Sequence, residues 1–151
     1  QDSALVISNS GTNMVPIEVA QGLKKAGMPV VAIVGRQHSE ASPSKHPDGL
    51  KLTQIVDLVL DNGAPPGDAM VTVDQLETPV SPGSTVGGAI LVNAIKAEVA
   101  DRLTKAGSPP KVLTASCLVG SERATDLFQS AYDEHAHRLS KLFFSLGRGE
   151  G

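Results

Sequence analysis

Six consecutive residues, Ser8-Asn9-Ser10-Gly11-Thr12-Asn13, form the segment of this chain best suited to chemistry. They follow a short apolar run, Ala4-Leu5-Val6-Ile7, and precede a stretch of helical periodicity from Met14 to Ala26. A turn between a buried strand and a helix N-terminus collects unpaired N–H groups and partial positive charge, which together bind anions. Gly11 lets the backbone approach a ligand closely, while the hydroxyl and amide side chains hydrogen-bond phosphate oxygens without adding charge. A charge-assisted hydrogen bond is worth about 1.5–3 kcal/mol, so three or four hold a phosphate with no Lys or Arg nearby. Ser, Thr and Asn are also ordinary helix caps. One cap accounts for one of these residues and leaves the rest of the run to explain.

The elements that position this turn are readable around it. Ala4–Ile7 predicts a buried strand, Met14–Ala26 a helix with Val15, Val19, Leu23 and Ala26 on one face, and Pro29–Val34 a second β-branched strand. Pro16 sits in the helix's first turn and Gly27 follows its last. The result is a βαβ unit and hence a parallel sheet. Gly35 to Gly49 reads as a long polar loop, Leu50 to Ile55 as a short helix, and Asp57 to Leu60 as a third strand. After the turn cluster Asn62–Asp68, Ala69–Val73 reads as an edge strand or hairpin arm. A long apolar helix is predicted from Ser84 to Ala106, then a fourth parallel strand at Lys111–Ala115 and a helix from Ser121 to about Leu146. The fold class is α/β, a doubly wound, mostly parallel sheet sandwiched by helices, in one domain spanning 1–146. Residues 147–151 read as a flexible tail. Only three residues precede the first strand, and a ligand crevice in such a sheet needs loops from two neighbouring strands. An N-terminal strand and helix are therefore expected to be missing from this chain.

Composition removes several function classes. Of 151 residues, 40% are hydrophobic and 19% charged, with a net charge of -3. That balance rules out a disordered polyelectrolyte, and no basic excess offsets nucleic-acid phosphates. No aromatic residue precedes Phe128, so a base-stacking platform is not expected. The longest apolar run, Val86 to Ala97, is broken by Asn93 and Lys96 and falls short of the roughly 20 residues a membrane span needs. No signal peptide is visible. A cytoplasmic domain, free of nucleic acid and membrane, is the expectation. The single cysteine, Cys117, excludes an internal disulfide and a four-cysteine zinc site, and reads as a small buried hydrophobe. His135 and His137 are two apart on a helix and cannot form an i, i+4 metal pair, so they read as surface residues. Neither a metal nor a cofactor is called for.

The Ser8-Asn9-Ser10-Gly11-Thr12-Asn13 turn, preceded by Leu5-Val6-Ile7, resembles the Ser-x-Ser-Gly-x-Ser/Thr loop of the SIS (sugar isomerase) domain family. Pro82-Gly83-Ser84-Thr85, at the head of the long helix, is similar to that family's Pro-Thr-Thr-Ser-Thr segment. The Asp57–Leu60 strand and the β-α-β start fit as well. Over residues 4 to about 140 the chain looks like an uncharacterised bacterial member of the phosphoheptose-isomerase-like branch. The resemblance implies a phosphosugar held by Ser8, Asn9, Ser10, Gly11, Thr12 and Asn13. Ser8, Ser10 and Gly11 match directly, whereas Asn13 stands where the family has Ser or Thr. Ser84 and Thr85 are implied at the sugar or phosphate end, although Ser84 also reads as a helix N-cap. The family's Gly-x-Gly-Ser turn has no counterpart in these residues.

Aldose–ketose isomerisation needs a base that moves a proton between adjacent carbons. His46, in the Pro-rich loop after the second strand, is the candidate best placed by chain position, and it reads equally as a solvated loop histidine. His38 is a weaker candidate. Asp61 and Asp68 can hydrogen-bond sugar hydroxyls, but Gly/Pro-rich loops favour Asp for their own geometry. Glu98 reads as solvated or inter-subunit. Three functions remain: a phosphosugar-binding isomerase, a non-catalytic phosphosugar sensor, and a nucleotide binder weakened by the lack of a Gly-x-Gly-x-x-Gly turn. The family and the apolar breadth of the Ser84–Ala106 helix predict a homodimer or higher oligomer.

Overall fold

The computed structural model describes residues 2–146. Its elements, in order, are β1 (Ala4–Ile7), α1 (Met14–Lys25), β2 (Val30–Val34), α2 (Arg36–Ala41), a 3-10 turn at Leu52–Gln54, β3 (Leu58–Asp61), β4 (Ala69–Val71), β5 (Val80–Pro82), α3 (Gly83–Lys105), α4 (Ser116–Val119) and α5 (Ser121–Leu146). The chain divides into two compact units, Gln1–Ala97 and Glu98–Gly151.

The first unit is α/β. β1, β2 and β3 form a parallel sheet in that order, with Val6 opposite Ala32 and Ala32 opposite Val59. Successive side chains alternate between faces, so Ala4, Val6, Val30, Ala32, Val34 and Val59 share one face. Ile17, Ala20 and Leu52 bury against it, with Leu23, Leu50, Ile55 and Val56 packed around them. α1 therefore rests on Ile17 and Ala20, and the expected Val15–Val19 face lies outward, with both valines exposed. The reason is register: Ile17, Ala20 and Leu23 also recur at helical spacing, and the strand-facing side takes that row. Gly27, at φ +76°, ends α1 with its N–H on the Lys24 carbonyl, and Met28 donates to Leu23. Asp57, one residue before β3, pairs with Lys24 and accepts the Val30 N–H at 2.8 Å, tying helix, β2 and β3 at one end.

Two expected elements differ. The polar segment from Gly35 begins with α2, whose Ser39 N–H bonds the Gly35 carbonyl at 2.7 Å. Lys111–Ala115 is not a strand; Val112 and Leu113 are exposed, with no neighbouring strand among the described residues to pair with them. Ala69–Val71 is a hairpin arm, antiparallel to β5, with Ala69 opposite Pro82 and Val71 opposite Val80.

In the second unit α5 follows α4 through Gly120, at φ +82°. Phe128 and Tyr132 stack one helical turn apart with ring centres 6.3 Å apart, and both are exposed. Cys117, expected in a core, is exposed because α4 buries no residue. Residues 147–151, read as a tail, lie outside the described residues.

Candidate functional site

β1 delivers Ser8, whose N–H donates to the Ile33 carbonyl at 3.0 Å, and the Asn9 carbonyl accepts from Gly35 at 2.9 Å. The chain then turns through Gly11 at φ +60°, a left-handed conformation that costs other residues about 1–2 kcal/mol. Space also demands glycine there: a Cβ would stand 3.2 Å from Leu52 Cβ. Two further carbonyls of the turn are occupied, Gly11 by the Leu52 N–H at 2.8 Å and Thr12 by the Lys45 N–H at 3.0 Å. The amides of Ser10, Gly11 and Asn13 take no acceptor among the described residues. Asn13 stands at the N-cap of α1 and makes no side-chain capping bond, so the first-turn N–H groups of α1 are uncapped as well. Carbonyls turned to the protein and amides left over make a donor-rich turn without an ionised side chain.

The six side chains are not equivalent. Thr12 is 1% exposed, and its Oγ1 lies 2.9 Å from Ser10 Oγ. Gly11 is buried; Ser8, Asn9 and Ser10 are half-buried; Asn13 is exposed. Asn9 Oδ1 accepts from Asn62 Nδ2 at 3.1 Å. Direct access thus falls to Ser8, Ser10, Asn13 and the turn amides, while Thr12 and Asn9 hold the turn's shape.

Segment 42–52, the end of the expected polar loop and the start of the expected Leu50–Ile55 helix, folds back onto this turn. Besides the Lys45 and Leu52 bonds, Lys51 Nζ donates to the Ser39 carbonyl at 2.6 Å, closing the end of α2. Ser44 Oγ donates to the Leu50 carbonyl at 2.5 Å and accepts the His46 N–H at 3.1 Å. His46 is one residue from the bond on Thr12, so the structure brings it to the turn's neighbourhood. Its side chain is only 7% exposed, against the reading of a solvated loop histidine. Nδ1 accepts the Asp48 N–H at 3.2 Å and lies 3.8 Å from the Asp48 carboxylate. His38 Nδ1 accepts from Gly67 at 3.0 Å and serves the fold.

Ser84 and Thr85 begin α3. Asp68 takes the Ser84 N–H at 2.8 Å and the Ser84 hydroxyl at 2.5 Å, so the carboxylate caps the helix and Ser84 lies inside its first turn. Thr85 is exposed. Asp61 accepts from the Arg36 and Gly63 amides, and those bonds hold its carboxyl below the usual range. Asn62, which sequence reasoning missed, joins the two ends of the site: a Cβ on Gly87 of α3 would collide with its carbonyl, and its side chain reaches Asn9. Its only sequence signal was a polar residue directly after a strand. Glu98 pairs with Arg102 on the surface, and His135 and His137 are exposed. A cavity of about 530 Å³ lined by Leu103, Lys111, His135 and Arg138 shares no residue with the turn.

Residues 1–35 match the SIS domain family. The chain is 34% identical over 134 residues to a UPF0309 protein of Geobacillus thermodenitrificans, covering 89% of this chain and 54% of that protein. It is 32% identical to UPF0309 proteins of Halalkalibacterium halodurans, with 92% and 56% covered, and of Listeria innocua, with 96% and 58% covered. The chain thus spans a little over half the length of these relatives. These matches bear out the resemblance carried by the Ser8–Asn13 turn, and a SIS domain supports binding of a carbohydrate derivative. No helix among the described residues is long and apolar enough to cross a membrane.

Proposed function

With a SIS-domain segment at its N-terminus as premise, we propose that this protein binds a phosphorylated sugar at the Ser8–Asn13 turn. One observation carries the reading: among the described residues, the amides of Ser10, Gly11 and Asn13 are left without partners at an uncapped helix start. A phosphate dianion satisfies several such donors at once. Ser8 and Ser10 add hydroxyl donors, and Ser84 and Thr85 are assigned to the sugar end. The setting proposed is a cytoplasmic homodimer associating through α3, where Val86 and Ile90, one turn apart, are 53% and 64% exposed.

Aldose–ketose isomerisation is the reaction this ligand class invites, with His46 as candidate base. The Nδ1 lone pair of His46 is engaged by the Asp48 amide at 3.2 Å and faces the Asp48 carboxylate at 3.8 Å, within its own loop. This favours the second reading, a sensing module that binds the phosphosugar without turnover. Thermal shifts with glucose 6-phosphate against glucose test the binding. A shift with the phosphate ester alone, lost in Ser10→Ala, is expected; equal shifts with both sugars reject it. Deuterium incorporation at C1/C2 separates the two readings. Exchange lost in His46→Ala assigns the isomerase, whereas binding without exchange assigns the sensor.

A further inference from the structure

Ser39 Oγ is a buried hydroxyl with no hydrogen-bond partner among the described residues, and the residue is 2% exposed. Leaving such a group unpaired costs about 1–3 kcal/mol, and each case in a native fold calls for a reason. It lies 3.7 Å from where a Cβ on Gly11 would stand, directly behind the turn. Ser39 is held there from both ends, its N–H on Gly35 at 2.7 Å and its carbonyl under Lys51 Nζ at 2.6 Å. The next residue, Leu52, holds the Gly11 carbonyl at 2.8 Å. Two consecutive residues thus tie α2 and the turn to the same short segment.

The turn itself contains the other half of the argument. Ser10 and Thr12 share a hydroxyl–hydroxyl bond of 2.9 Å in which either can donate. A hydroxyl has one proton and two lone pairs, so Ser10 cannot donate to Thr12 and to an anion together. With an anion in place, Ser10 donates outward and accepts from Thr12, so the buried Thr12 oxygen no longer receives a proton from Ser10.

We propose that Ser39 is a positioning residue for the phosphosugar turn, its hydroxyl donating into the turn once Ser10 is committed to the anion. A chain of hydroxyls polarised in one direction strengthens its outermost bond. The inference rests on the binding reading above and extends it to a residue that has no direct access to ligand.

Calorimetric titration with glucose 6-phosphate and with inorganic phosphate, and melting without ligand, are measured on wild type, Ser10→Ala, Ser39→Ala and Ser39→Cys. For Ser39→Ala the ligand-free melting temperature is expected to hold or rise, because an unpaired hydroxyl is removed. Affinity for both probes is expected to fall about five- to tenfold, one ordinary hydrogen bond. The weaker S–H donor of Ser39→Cys falls between. A lower ligand-free melting temperature in Ser39→Ala overturns the proposal, since the hydroxyl then already has a partner; so does unchanged affinity. If wild type binds neither probe, the binding reading falls and this one with it. If Ser10→Ala loses binding while Ser39→Ala keeps it, only the role of Ser39 is lost.

Discussion

Asn62 Nδ2 donates to Asn9 Oδ1 at 3.1 Å, joining the turns that follow β1 and β3, two strands that do not pair with each other. The bond passes over the end of β2 at Gly35, where a Cβ would stand 2.5 Å from Asn9 Oδ1 and 3.1 Å from Asn62 Oδ1. The missing side chain at Gly35 is what lets the outer turns meet. Asn62→Ala removes this bond and the one from Ala64 N–H to Asn62 Oδ1. Urea unfolding is expected to show a loss of about 1–2 kcal/mol, and titration a loss of glucose 6-phosphate affinity.

Gly11→Ala places a methyl against Leu52 in a left-handed turn. A stability loss of about 2–3 kcal/mol is expected from the conformational and steric terms together. Gly49→Ala, also at positive φ but with nothing within 4 Å of its Cβ position, is the control and carries the conformational term alone.

Asp57 has its carboxyl held below the ordinary value of 3.8 by the Lys24 ammonium and then by the Val30 amide. A depressed folded pKa contributes stability that is present above the unfolded pKa and lost as pH falls through the folded value. Asp57→Asn is expected to be less stable than wild type at neutral pH, with the gap closing below about pH 4. Paired thermal melts across pH read this directly. A gap that persists into acid refutes the carboxylate as its source.

Ile90→Glu puts a charge on the exposed apolar row of α3. Light scattering on eluting protein is expected to show wild type at dimer mass or above and the variant as monomer. A wild-type monomer removes the α3 interface.

Strands β1 and β2 were legible as strands because four- and five-residue apolar runs bounded by turn residues have few other uses, but β1, read as buried, leaves Leu5 and Ile7 exposed on the face away from α1. The turn was legible because one helix cap cannot use so many polar residues. What escaped depends on tertiary contact. α2, with the sequence Arg-Gln-His-Ser-Glu-Ala, has no apolar period, and it is closed by Lys51 from elsewhere in the chain. Asn62 lies 53 positions from Asn9, and no local pattern marks such a pair. Lys111–Ala115 shows the converse: Val-Leu-Thr has strand composition, yet a strand exists only beside a partner. Val15 and Val19 fit the helical period as well as Ile17 and Ala20, and the sheet decided between the two rows.

The Lys51–Leu52 pair has an evolutionary consequence. Lys51 anchors α2, Leu52 anchors Gly11 and Lys45 anchors Thr12, so the segment from Ser42 to Leu52 is pinned at several points and free only between them. Exchanges at exposed positions between those anchors leave the turn's backbone bonds in place while altering what stands beside it. Such a scaffold can vary the surface beside the turn while sparing the residues that fix the turn's shape.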